Sequence, residues 1–456
     1  MRSLKLSISI IKDVATNVAG MLILNAVAFY NKFPLVYTDT GTYIGTGFSG
    51  NVPYDRTIFY GLFIKHTTHG ISPWPTTLAQ GFIVSWLLFK LFKLLYNERG
   101  NHFAYLIVLI FVTATTGVSF NVSILIPDIF ASICLLASFL LLFTVDLSRT
   151  ERITLIVILS YGISVHLSHI PILLISLVLF YSTILILRKY ANIGSIPLKS
   201  DRVKMIVLTL LITVFTIPFA NYLLDRKFEL SSGGHVFLLN HLREIGVLKD
   251  YLKNNCERQD YQLCNYQNNL EGDFMWDQNS PLYITGGWIK NKEEYGRIIR
   301  GILLSPKYYS TIILAGAQFS FTQLITFHST VDVPQRKNSP PHGLIRWRFN
   351  SSENAYLNSK QNTNGYVLAS FNFLEYLIVC ISLILIISLI LSRNVNPYFF
   401  FAVVWSLLFT VVSAIICANL STVNARYINR VIWIIVFLAT TGLLQLISQK
   451  YFQKTQ

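Results

Sequence analysis

Residues 371–391 read FNFLEYLIVCISLILIISLIL, 21 residues with one charged side chain. As a helix rising about 1.5 Å per residue, such a run covers roughly 30 Å, the thickness of a bilayer's hydrocarbon core. It is too long and too poor in charge for the core helix of a soluble protein. Working outward, the same pattern recurs at 397–418 and 430–448 on one side. On the other side it recurs at 12–30, 74–95, 102–119, 129–146, 152–167, 170–187 and 204–224. The expected fold is an all-α polytopic membrane protein with about ten transmembrane helices. Residues 1–224 form a seven-helix module with a first outer loop at 31–73. Residues 225–370 form a mixed loop subdomain outside the membrane, and 371–456 the last spans. The fifth and sixth spans meet at His166-Leu-Ser-His169-Ile-Pro171, where Pro171 and two histidines mark a turn at the membrane surface.

Composition agrees. Of 456 residues, 53% are hydrophobic and 13% charged, with mean hydropathy +0.50; soluble proteins carry roughly 25% charged residues. The net charge of +15 is explained by basic cytoplasmic loops, so no nucleic-acid partner is expected. The excess in the large loop is suited to anionic lipid headgroups or phosphates. The sequence has no Walker A motif, no glycine-rich dinucleotide fingerprint and no paired CxxC, so P-loop hydrolysis and nicotinamide chemistry have no support in it.

Orientation follows from Lys and Arg in the short loops. One set holds Arg2, Lys5, Lys12, Lys90, Lys93, Arg99, Arg149, Arg152, Arg188, Lys189, Lys199, Arg202, Lys204, Arg393, Lys450 and Lys454. The opposite set holds Lys32, Arg56, Lys65, Arg426 and Arg430. Both termini are therefore expected in the cytoplasm. The N-terminal stretch lacks a short apolar core followed by a cleavage site, so it reads as an uncleaved first span. Tyr309–Phe327 is apolar but carries Gln318 and Gln323. Counting it as a span would export Lys450 and Lys454, so it reads as an interfacial or re-entrant helix.

The residues capable of chemistry gather at the outer face. Asp39, in Tyr37-Thr-Asp39-Thr-Gly-Thr-Tyr43, lies just past the first span. Desolvation there raises a carboxylate's proton affinity and suits it to base catalysis or metal binding; capping of the next helix is the alternative. Asp55-Arg56 is either a phosphate or carboxylate clamp or a helix cap beside a headgroup anchor. His66 and His69, three apart, can share a helix face. Asp128 after Pro127 suits a helix N-terminus, yet it joins Asp39 at the same face, as do His166 and His169. Arg426 and Arg430, four apart with Tyr427 between them, clamp a phosphate or snorkel to headgroups. Cys256 and Cys264 pair as a disulfide if their loop is extracytoplasmic.

This arrangement resembles the GT-C superfamily of integral membrane glycosyltransferases over about residues 10–310. The likeness rests on a cytoplasmic N-terminus, an acid just after the first span, amphipathic helices in the first loop, and seven spans followed by a large outer loop. It implies catalytic roles for Asp39 and Asp128, and a polyprenyl-phosphate-linked sugar donor with a membrane lipid environment. Asp55, Arg56, His66, His69, His169, Arg426, Tyr427 and Arg430 then hold substrate or phosphate. A divalent ion (Mg or Mn) is the cofactor considered; Thr40 after Asp39 departs from the paired acids seen elsewhere in the superfamily.

Residues 242–256 (LREIGVLKDYLKNNC), YQLCNY, DFMWD, SPLY, GGW and ARYINRVIW are similar to an uncharacterised family of bacterial polytopic membrane proteins. That likeness implies a bacterial inner membrane and makes the Cys256–Cys264 pair a feature of the outer loop. Trp276 and Asp277 in DFMWD are either glycan contacts or core and cap residues. Three functions stand open. One is sugar transfer to an envelope glycan or lipid. Another is polymerisation or ligation of lipid-linked polysaccharide. A flippase or transporter is the third, and it predicts charges midway across several spans.

Overall fold

The computed structural model describes residues 2–96, 101–190, 198, 200–331, 336–363, 365–392 and 395–455. Arg99, Lys199 and Arg393, used above for orientation, lie outside the described residues. Among those described, the chain is helical without a β-strand, apart from one parallel bridge between Leu35 and Ile124.

The first arm is α1 (Arg2–Leu24) and α2 (Ala26–Asn31), broken at Asn25. The Asn25 side chain donates to the Met21 and Thr77 carbonyls, tying the break to the next long helix. The first loop supplies α3 (Thr40–Ser49) and α4 (Phe59–Thr68), followed by α5 (Trp74–Tyr96). The run expected as one span at 102–119 is interrupted: α6 (His102–Thr115) ends before Gly117, and α7 (Val118–Ser123) follows. In α8 (Ile129–Phe143) every residue is buried, so this helix is the centre of the bundle. Next come α9 (Arg149–Ser164), started by a Ser148–Glu151 capping box, then α10 (His169–Tyr190) and α11 (Ser200–Asp225). The fifth apolar run thus stops at Ser164, and 165–168 are the expected turn.

The described residues of 225–370 form helices and no strand, rather than a mixed fold, and they divide between two cores. The helices α12 (Gly234–Glu244), α13 (Val247–Asn255), α14 (Pro281–Ile284), α15 (Gly287–Lys290) and α16 (Lys292–Leu303) enclose Leu239, Leu248, Leu282, Tyr295 and Ile298. The Cys256–Cys264 disulfide is formed and ties the end of α13 to the turn Gln262–Tyr266. After α17 (Tyr309–Ile325), the short α18 (Pro340–Arg348), α19 (Glu353–Leu357) and α20 (Lys360–Thr363) join the main core through Ile345, Phe349 and Tyr356. Gln361 bonds both the N–H and the carbonyl of Val36, stitching α20 to the first loop.

The chain closes with α21 (Ala369–Ser392), α22 (Pro397–Leu420) and α23 (Ala425–Thr455). Helix α17 packs along α22 and leaves Ile313, Leu314 and Phe321 exposed. Among the described residues, six helices (α5, α10, α11, α21, α22 and α23) are long and apolar enough to cross a membrane; α6 and α8 are apolar but shorter. The exposed faces of α11 and α21 present Leu211, Phe215, Ile384 and Ile387, surfaces suited to hydrocarbon. This is a multi-pass membrane protein. In lipid, helix association rests on packing and interhelical hydrogen bonds of roughly 0.6–2 kcal/mol each. The Trp405 indole donates one to the Leu135 carbonyl, and Asn396 another to that of Leu94.

Candidate functional site

Two glycines bring the first-loop helices together. A Cβ on Gly47 would lie 2.1 Å from the Gly61 carbonyl oxygen, and one on Gly61 would lie 2.7 Å from the Gly47 nitrogen. Only hydrogen fits at this crossing of α3 and α4. Asp39 at the head of α3 and Arg56 just before α4 therefore meet, with Arg56 Nη1 3.2 Å from Asp39 Oδ1. Asp39 occupies the N-cap position but makes no side-chain cap bond, so the capping alternative is not realised.

From this pair an alternating row of charges extends. Arg56 holds Asp55 Oδ2 at 2.6 Å. On the other side Arg426 Nη2 approaches Asp39 Oδ2 at 3.3 Å, and its Nε lies 3.7 Å from Asp128 Oδ2. Arg430, fully buried, holds Asp128 Oδ1 at 3.1 Å. The sequence is Asp55, Arg56, Asp39, Arg426, Asp128, Arg430: three acids and three bases, each acid touching a guanidinium. Aromatic rings brace the bases, with Arg426 over Tyr37 at 4.6 Å, Arg56 over Tyr43 at 5.1 Å and Arg430 over Tyr427 at 5.2 Å. Ser132 donates to the Arg430 carbonyl, fixing the start of α23 against α8.

All of this row except Arg430 lines a cavity of about 410 Å³. Asp39, Asp55, Arg56, Asp128, Arg426 and Tyr427 supply its polar wall; Leu167, Pro171, Phe237, Leu238, Ile416 and Leu420 supply apolar lining. The second core covers it: Ser231 donates to the Tyr54 carbonyl, and Trp288 packs on Tyr54 with ring centres 5.0 Å apart. Trp276, half exposed, also lines the cavity and packs in a tilted contact against Trp288, with ring centres 5.5 Å apart.

The expected site residues thus divide. Asp39, Asp55, Arg56, Asp128, Trp276, Arg426 and Tyr427 converge, with Arg430 directly behind. His169 is buried behind His166, which itself faces the cavity. His66 and His69 do not join: both are exposed at the far end of α4, where His69 closes the helix in a left-handed conformation. Asp277 is exposed and accepts from the Asn279 N–H, a turn-forming role. The cystines lie in the second core, away from the cavity lining.

The raised proton affinity expected for Asp39 is reversed. Burial pushes its carboxyl up, but Arg56 and Arg426 outweigh burial and hold it below the ordinary carboxylate range. The donor set also does not suit a divalent ion. Among the described residues no three His, Cys, Asp or Glu side chains gather as a metal site, and guanidiniums already occupy the three cavity acids.

One buried acid escaped the sequence reading. Glu375, in the 371–391 run, is fully buried and accepts from Gly117 N (2.7 Å), Asn429 Nδ2 (2.7 Å), Ser329 N (3.1 Å) and Ser329 Oγ (3.0 Å). It knots α21, the α6–α7 break, the 326–331 segment and α23 one residue before Arg430. Its donors are scattered along the chain, and the charge interrupting an apolar run is the signal that marks it. No protein-family model, no curated protein and no solved structure matches this chain.

Proposed function

We propose that this protein is a membrane glycosyltransferase of GT-C-like build. On this reading it makes about ten crossings of a bacterial inner membrane, with both termini cytoplasmic. It moves a sugar from a polyprenyl-phosphate-linked donor to a cell-envelope glycan or lipid at the extracytoplasmic face. The observation that carries this reading is the Asp39–Arg56–Arg426 cluster in a cavity that also has apolar lining. That combination matches a ligand with a phosphate head and a hydrocarbon tail.

In this mechanism the acceptor hydroxyl oxygen attacks the anomeric carbon. The bond from that carbon to the phosphate oxygen breaks, and its electron pair leaves with polyprenyl phosphate. The hydroxyl proton passes to Asp39. Arg56 and Arg426 neutralise the departing phosphate, the charge that develops as the bond breaks. The same arginines suppress Asp39 basicity while they hold it. A phosphate that takes over their N–H groups loosens Asp39 and restores its ability to accept a proton. Asp128, anchored by Arg430, keeps Arg426 in place. The Trp276 indole offers a flat face for a sugar ring.

The test is Asp39→Asn, checked for folding by size exclusion and melting. Membranes carrying it are assayed for movement of radiolabelled sugar from polyprenyl-phosphate donors into envelope glycan or lipid. Loss of about 10²–10⁴-fold is expected for a general base; full transfer by the folded variant sinks the assignment.

A further inference from the structure

His166 stands in the connector between α9 and α10, half-buried and facing the cavity. Its Nδ1 is already used. The Ser168 backbone N–H donates to it at 3.3 Å, and Ser168 Oγ lies 2.8 Å from the same nitrogen. A backbone N–H can only donate, so Nδ1 is the acceptor. A neutral imidazole whose Nδ1 accepts carries its proton on Nε2. His169 shows the opposite pattern: its Nδ1 lies 2.7 Å from the Gly162 carbonyl, which can only accept, so its proton is on Nδ1. The two rings, 5.2 Å apart, therefore hold different tautomers. His169 ties the start of α10 to α9, while the His166 Nε2–H has no bonding partner among the described residues.

We propose that His166 is a ligand-binding residue that donates its Nε2–H to a phosphate oxygen in the cavity that Arg426 also lines. The ligand's identity as a prenyl phosphate rests on the glycosyltransferase reading. Burial, with Arg430, Arg426 and Arg56 nearby, holds the His166 imidazole well below its ordinary protonation range. The ring thus adds a donor without adding charge to a row that is already balanced. It does not serve as a base, because the nitrogen that can accept is bonded to Ser168. His166 was visible from its place between two spans, but its tautomer depends on the connector's backbone.

Side-chain geometry gives a discriminating test. A Gln amide N–H reaches the place of Nε2, whereas an Asn amide reaches only that of Nδ1. Full-length protein in detergent is titrated with farnesyl phosphate, with farnesol as the uncharged control and inorganic phosphate as the tail-free control. His166→Phe and His166→Asn are expected to weaken farnesyl phosphate binding at least tenfold, and His166→Gln less than threefold. Farnesol binding stays unchanged in all three. Weaker inorganic phosphate binding in the Phe variant places the contact at the phosphate itself. Equal loss in the Gln and Phe variants, or no loss in Phe, overturns the assignment. Each variant's size-exclusion profile separates misfolding from lost contact. Binding is read independently of transfer, so failure of the Asp39 test and failure here are distinguishable.

Discussion

Replacing Arg430 with Met leaves Asp128 buried with only the more distant Arg426, at 3.7 Å, for charge compensation. Unit charges 3.1 Å apart attract by about 5 kcal/mol at an effective dielectric of about 20. Removing one member of a buried pair generally costs about 3–5 kcal/mol, because the other charge stays desolvated. Arg430→Met and Asp128→Leu are each expected to destabilise the fold by that amount. The double variant removes both charges and is expected to recover most of the loss. The assay is reversible unfolding by added SDS in mixed micelles, followed by intrinsic tryptophan fluorescence, with coupling taken from the double-mutant cycle. A coupling below about 1 kcal/mol, or a double variant as unstable as the two losses summed, refutes the pairing.

Further outcomes follow from other contacts. Gly47→Ala drives a methyl into the Gly61 carbonyl, so it is expected to cost at least about 1–3 kcal/mol and to weaken farnesyl phosphate binding by displacing Asp39 from Arg56; binding and stability at wild-type level refute the close crossing. Glu375→Leu strands the Gly117, Ser329 and Asn429 donors at about 1–3 kcal/mol each, and SDS unfolding at the wild-type midpoint counts against the knot. Because the folded Asp39 carboxyl lies below its ordinary 3.8, its stabilisation is complete above that value and is lost as pH falls through the lowered one. Melting profiles should therefore show an acid limb below pH 3.8 that shrinks in Asp39→Asn; an unchanged limb removes Asp39 as its source. Thiol counting by mass spectrometry on denatured protein should find three free cysteines before reduction, Cys134, Cys380 and Cys417, and five after it; five before reduction disproves the bridge.

The apolar runs were readable because lipid imposes a minimum length on any crossing helix. What they hid were breaks made by polar side chains and glycine. Asn25 interrupts the first run by bonding Thr77, a partner distant in sequence, and Gly117 interrupts the third by bonding Glu375. The charge row was readable in outline because Asp39, Asp128 and Arg426 lie close to the ends of apolar runs on one face, and Arg56 lies in the loop between two of those runs on the same face. Spacing misled at His66 and His69: three residues apart on a helix fixes a shared side, but not which end of the helix meets the cavity. The division of 225–370 was equally hidden, since Gln361 reaches the first loop by hydrogen bonds to backbone that any residue could supply.

The pairing of three acids with three bases turns the cavity into something like an ion-exchange resin with its counterions built in. On the proposed reading, an incoming phosphate would displace carboxylates that remain tethered nearby, not dissolved anions. Mobile salt therefore competes little for the arginines, and affinity for a phosphate ligand should change only weakly with ionic strength. The displaced carboxylates would also return as soon as the phosphate departs, which on that reading gives the protein its own means of expelling a spent anion.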